Sequence, residues 1–183
     1  TKVADGEDGG YSLSLDYGKI ALVIRGETGT QTTQFNYDLV RNNTSFNPSS
    51  LALSPDSSGG PVTPAKYFLA LDGVKGDSLD SNHKGWFEID GFDFGAASPR
   101  DASSGQATGR AQFSPLTVDI HSLVGLASLF GDEVTGRHIK FAELVGVQNG
   151  LKGETVYDLK LDNVTLASLH NDPSSHGVET DLK

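Results

Sequence analysis

The chain has 183 residues, 36% of them hydrophobic and 22 of them glycine, enough apolar material for one ordinary domain with turns to spare. It contains no cysteine, which excludes disulfides, thiolate nucleophiles and zinc–thiolate sites. Fourteen basic against 24 acidic residues give a net charge of −10, which disfavours nucleic acid as a partner, and no apolar run is long enough to span a membrane as a helix. Methionine is absent, and a chain starting at Thr1 in this way is expected to be processed or part of something longer. Together these features favour a secreted or extracellular protein.

The first element predicted in chain order is a long strand. Leu13, Leu15 and Tyr17 alternate with Ser14 and Asp16, and after Gly18 the apolar phase moves to Ile20, Leu22 and Ile24. A phase shift at a glycine predicts a β-bulge there. Gly26-Glu27-Thr28-Gly29 makes a hairpin loop into a second run, Phe35, Tyr37 and Leu39. Residues 1–41 thus form an N-terminal hairpin unit.

Residues 42–64 lack periodicity and carry prolines that prevent ladder pairing. They are expected to be a linker, with Leu51 and Leu53 as a short tether, leading into a body over 65–183. Tyr67 to Leu71 is apolar on both faces and predicts a strand covered on both sides. Further strands are expected over Trp86–Phe94, around Ile139–Val147 and over Val156–Leu169, the last with a second bulge at Asp162-Asn163. Only Ile120, Leu123, Val124 and Ala127 fall on a helical period, with Thr117 or Asp119 as cap and Gly131 as terminator. The fold class expected is all-β, an antiparallel barrel or sandwich with one short helix.

A hairpin alone is not stable in water, so residues 11–40 must join another sheet. The body indicates which kind. Lys66-Tyr67-Phe68-Leu69-Ala70-Leu71-Asp72-Gly73-Val74-Lys75-Gly76-Asp77-Ser78, with His83-Lys84-Gly85 and Glu88-Ile89, resembles the opening of the haemolysin-coregulated protein family, the tube-forming proteins of type VI secretion. Thr135-Gly136-Arg137-His138-Ile139 is similar to that family's strand start after its helix, with Arg137 replacing lysine, and Leu161-Asp162-Asn163-Val164 is similar to its penultimate strand. The family's closing strand, roughly Leu-x-Tyr-Gly-Lys-Ile, is missing after the body and stands instead at Leu15-Asp16-Tyr17-Gly18-Lys19-Ile20.

The resemblance therefore implies a barrel whose closing hairpin is displaced to the N-terminus. Three arrangements accommodate it: a hairpin closing its own barrel, a window cut from a tandem array, or a hairpin completing a neighbouring subunit. Assembly through the hairpin ranks first and closure within one chain second. The function implied is structural: a self-assembling subunit of a secreted tube, filament or repeat array, built by strand complementation with further copies of itself. Its assembly residues would be Leu13, Leu15, Tyr17, Gly18, Ile20, Leu22, Ile24, Phe35 and Tyr37. The alternative is a monomeric secreted adhesin or cargo domain that binds carbohydrate or another surface ligand.

Catalytic signatures are lacking: there is no Gly-x-Ser-x-Gly elbow, no P-loop and no His-Glu-x-x-His. Ser103-Ser104-Gly105 suits a loop better than a held nucleophile, and the family resemblance implies ring stacking for this region. His83 and His138 are expected to be hydrogen-bonded structural residues. His170, Asp172 and His176 are expected to be loop residues rather than metal ligands. Asp80 to Gly85 starts like a calcium loop, but Lys84 occupies a ligand position and Gly91 stands where the bidentate Glu belongs. No cofactor is expected, calcium at another geometry being the one left open. An enzyme is not expected.

Overall fold

The alternating runs become strands, and their order is set by which edges remain to be paired. A computed structural model of the chain describes residues 10–25, 31–44, 64–148 and 154–171, side chains 31–33 excepted. In chain order the described elements are β1 (Tyr11–Arg25), β2 (Gln31–Asp38), β3 (Lys66–Leu71), β4 (Phe87–Asp93), β5 (Ala96–Ala97), β6 (Gln112–Phe113), β7 (Leu116–Ile120), α1 (Leu126–Thr135), β8 (Ile139–Val147) and β9 (Thr155–His170). Six strands close an antiparallel barrel in the order β1-β7-β4-β3-β8-β9, with β9 returning to β1. Closure removes the unpaired edges that a twisted sheet otherwise exposes. The all-β barrel with one helix is as expected. No described helix is long and apolar enough to cross a membrane.

The barrel interior takes Leu13 and Leu15 from β1, Leu69 from β3, Phe87 from β4, Val118 from β7, Leu144 from β8 and Leu159 from β9, all within 1% of complete burial. The two-faced run of β3 is covered on both sides, as its composition predicts. Leu69 points into the barrel, and Phe68 lies outside beneath His83, their rings stacked 4.6 Å apart, with Trp86 edge-on to His83 at 5.1 Å. The polar sequence Asp80-Ser81-Asn82 is thereby held as a tight turn: the Asp80 carboxylate accepts the N–H groups of Asn82 and His83.

Three expectations need correction. The helical period beginning at Ile120 is instead the end of β7, where Leu116, Val118 and Ile120 are buried in alternation with Thr117 and Asp119. The strand period wins because both edges of β7 are needed to join β1 to β4. The helix starts later, after Gly125, whose φ is 80° and where an added Cβ would lie 2.8 Å from the Phe87 ring. No side chain caps its start, Gly131 lies inside it, and Gly136 in the left-handed region ends it.

The second and third corrections concern the bulges. Gly18 is not one: β1 and β9 keep one register from Leu15↔Leu166 to Ile24↔Tyr157, and the shift lies between Ser14 and Leu15. Nor is Asn163; it adopts a left-handed conformation, φ 62°, within that same register. The apolar phase flips in both strands at one level, between Tyr17 and Ile20 on β1 and between Val164 and Leu161 on β9. It is a matched kink in two paired strands, with no extra residue in either.

Candidate functional site: the β1 seam

β1 is the strand that closes the barrel, and it is paired on both edges. Its first five residues meet β7, from Tyr11↔Ile120 to Leu15↔Leu116. Beyond the end of β7 the same edge meets β2, from Lys19↔Asp38 to Arg25↔Gln31. The opposite edge runs along β9. The hairpin thus completes the barrel of its own chain, the second-ranked of the arrangements named above.

Of the predicted assembly residues, Leu13, Leu15, Tyr17 and Ile20 are buried in the interior, and Leu22 packs against it half-buried. Two phenols fix the strand lengthwise. The Tyr11 hydroxyl donates to the Val124 carbonyl and the Tyr17 hydroxyl to that of Ser114, each at 3.1 Å. Burial pushes the Tyr17 phenol up to about 12, with a smaller contribution from Asp16. Gly18 is required because an added Cβ would lie 2.7 Å from the Asn163 side-chain nitrogen, and its carbonyl accepts the Leu39 N–H.

Ile24, at the end of the same alternation, is half-buried and belongs to neither hydrophobic cluster. Ala21 and Val23, absent from the expected set, are completely buried on the other side. Their signal was available: Ile20 to Ile24 is an unbroken apolar run, the pattern of a strand covered on both faces.

Phe35 and Tyr37 leave the barrel proper and form a platform with Phe113. Phe35 stacks beside Tyr37 at 6.3 Å, Phe113 tilts onto Tyr37 at 5.1 Å, and the Phe35 ring remains 43% exposed. The platform ties the hairpin to the ribbon β5–β6 at the base of the 96–113 loop. The Arg110 guanidinium reinforces this tie by donating to the Leu39 carbonyl at 3.0 Å. Next to it a surface cavity of about 260 Å³ opens at the kink, lined by Gly18, Lys19, Asp38, Val40, Arg41 and Asn163. Asp38, 2% exposed, accepts the Arg41 N–H at 2.8 Å and faces the Arg41 guanidinium at 3.5 Å.

The outward side of the seam holds the most perturbed carboxyl in the barrel wall. Asp158 on β9 is 8% exposed, and its Oδ1 has no hydrogen-bond partner among the described residues. Burial, with Glu143 adding to it, pushes this carboxyl up to about 6 against the opposing pull of Arg25 and Lys160.

Elsewhere two of the polar candidates are held by local hydrogen bonds and one is not. His83 pairs with Asp80 through Nδ1 at 3.0 Å, an acidic partner three residues away that the sequence reading did not identify. His138 departs from the expectation of a hydrogen-bonded structural residue: it is exposed and makes no side-chain hydrogen bond among the described residues. The hydroxyls of Ser103 and Ser104 both donate to Asp101. Together with the two N–H groups, Ser103's hydroxyl foremost, they hold that carboxyl at about 2. No group of three histidine, aspartate or glutamate side chains suited to a metal occurs among the described residues. Asp172 and His176 lie outside them, as do Leu51, Leu53 and the acidic stretch Asp5–Asp8.

The profile of one family matches residues 68–181: type VI secretion system effector, Hcp. Solved structures matched by the chain include one titled as an Hcp protein, 18% identical with a TM-score of 0.47, covering 54% of this chain and 71% of that one. Another is the Hcp1 protein from E. coli EAEC 042, 21% identical, TM-score 0.43, covering 60% of this chain and 87% of that one. A type VI secretion system effector from Yersinia pestis is 17% identical, TM-score 0.34, covering 56% and 85%. No curated protein matches the chain.

Proposed function

The chain belongs to the Hcp family of type VI secretion effectors, and from that premise we propose that it is a structural, self-associating subunit of a secreted tube or filament. Its assembly mode is β-strand complementation, the β1–β2 hairpin filling the barrel of its own chain or, on assembly, that of a neighbour. The observation that carries this reading is the origin of the sixth strand. The family-matched residues supply β4, β7, β8, β9 and most of β3, whereas β1 comes from outside the match. Without β1, the edges of β7 and β9 would both stand unpaired, a template for any strand of the right pattern. The packing of Tyr37 on Phe113 and the Arg110–Leu39 bond support a coupling between hairpin and loop, so that seating the strand positions the loop for stacking.

Negative-stain electron microscopy of the native protein tests this directly. Filaments or stacked rings are expected, and Leu15→Asp should abolish them. Dispersed single particles at high concentration would overturn the proposal. One feature favours a second reading, a monomeric adhesin domain: the Phe35–Tyr37–Phe113 platform offers aromatic faces beside Asn42, whose Oδ1 accepts the Tyr37 hydroxyl. A polysaccharide pull-down that is lost on Phe35→Ala would favour that reading over assembly.

A further inference from the structure

Asp158 sits in the wall of the barrel at the level where the hairpin ends. Register places Val23 of β1 on one side of it and Val145 of β8 on the other. Ala21, Val156 and Val147 flank this row on the same outward face, and period two sets them opposite Leu22, Leu159 and Leu144. Val23 and Val156 are 0% exposed, Val145 4% and Asp158 itself 8%. In this apolar strip the Asp158 Oδ1 is buried and accepts no hydrogen bond. A neutral carboxyl tolerates such surroundings far better than a carboxylate, whose charge calls for water or a donor.

The charged groups around it are few. β1 brings Arg25, β9 brings Lys160 and β8 brings Glu143, and burial together with Glu143 outweighs the pull of the two cations. Lys66, on β3 beside Val147, is taken up by Glu88 at 2.6 Å, and Gln34 of β2, opposite Val23, is uncharged. His170, the one histidine on β9, lies at the far end of that strand opposite Ser12.

The two ladders beside Asp158 are not equally anchored. β8 is bonded on both edges, to β3 from Lys66↔Val147 to Leu71↔Ala142 and to β9. From Lys19 to Arg25, β1 is bonded to the barrel on one edge only, that of β9. Its pairing with β7 stops at Leu15, and its other neighbour, β2, is the last strand of the sheet among the described residues. The ties from β2 to the body, Phe35 and Tyr37 on Phe113 and Leu39 to Arg110, all lie on the Gly18 side of the Val23↔Gln34 pair. Level with Asp158, the hairpin end can therefore swing away by parting a single ladder, whereas freeing the carboxyl on the β8 side opens the body of the barrel.

We propose that Asp158 is a proton-operated latch for the hairpin: with its carboxyl neutral, the end of β1 from Lys19 to Arg25 lies closed on β9, and ionisation loosens that end while β8 keeps its place. A carboxyl raised to about 6 in the closed seam returns to the ordinary value of about 4 once water reaches it. The closed seam thus has its full advantage below about pH 4 and loses it as the pH rises through 6. The latch acts within one chain and does not rest on polymerisation; it sets how readily the hairpin end leaves its own barrel.

Hydrogen exchange read by mass spectrometry on the full chain, corrected for the intrinsic pH dependence of amide exchange, tests it. Protection of the Lys19–Arg25 amides should fall about tenfold between pH 5 and pH 7.5 and level off above about pH 6, while that of Ala142–Val147 stays constant. Asp158→Asn should make the β1 protection independent of pH. Equal β1 protection at the two pH values, an equal fall in β1 and β8, or a fall that persists in the Asn variant would each overturn the proposal. Should that variant fail to fold, Glu143→Gln decides: removing the neighbouring negative charge should bring the levelling-off to lower pH, and an unmoved profile overturns the assignment to Asp158. Absence of filaments by microscopy would bear on the proposed assembly alone.

Discussion

In β1, Leu13 and Leu15 are fully buried and Ile20 is 1% exposed, whereas α1 buries a single apolar side chain completely, Leu129, and leaves Phe130 and Val134 43% and 85% exposed. The helix lies inside the family-matched stretch and β1 lies outside it. Attachment to the core therefore follows from hydrogen-bonded edges rather than from membership of the matched segment. A strand paired on both sides has its side chains delivered to the interior at every second residue, while a ten-residue helix resting on the barrel needs only one good contact to stay in place.

This contrast can be broken at either end. The largest effect is expected from Leu15→Asp, which buries a carboxylate in the core between Leu116 and Leu166 on the flanking strands; a loss of about 4 kcal/mol or more should leave little folded protein in urea titration. Gly18→Ala comes next, at about 1–3 kcal/mol, from the clash with the Asn163 side chain. Asn163→Gly should recover most of that loss in a double-mutant cycle, since glycine accepts the left-handed conformation freely. Additive effects of the two would mean that the kinks are independent.

Asp158→Asn gives a smaller, pH-dependent effect. A carboxyl raised to about 6 binds its proton more tightly in the folded chain than in the unfolded one. Its contribution to stability is therefore fully present below about pH 4 and is lost as pH rises through 6. The amide should flatten that decline and make the protein about 1–2 kcal/mol more stable at pH 7.5, within the ceiling the shift allows. An unchanged slope between pH 4.5 and 7.5 in the variant would falsify this account. The smallest effect belongs to Val134→Asp, within about 0.5 kcal/mol, because that side chain already faces water.

Much of this architecture was legible in the residues. The alternation of Leu13, Leu15 and Tyr17, the two-faced run of β3 and the long β9 are local patterns, and local patterns survive folding when they agree with the sheet. The phase flip at Gly18 was visible too, but its cause was not, because a matched kink depends on Asn163 lying opposite, far along the chain. Ile120 satisfies at once the helical period that runs on to Ala127 and the strand period that begins at Leu116, and the need to bridge β1 and β4 decides between them. Asp158 was wholly silent in the sequence. Its burial arises from β1 and β8 on either side and from the outward apolar strip, none of which a single strand can announce.

The pairing of the first strand with the last carries a further consequence, one of timing. Leu13 is bonded opposite Leu169, so the hairpin must wait for about 150 further residues before its partner exists. At ribosomal speeds of roughly 5–20 residues per second, that delay is about 10–30 s, during which the alternating face of β1 has no permanent neighbour. Nascent chains made side by side on one message would present such faces to each other within the same interval. Closure of the barrel by its own hairpin is therefore the last pairing to become available as the chain emerges.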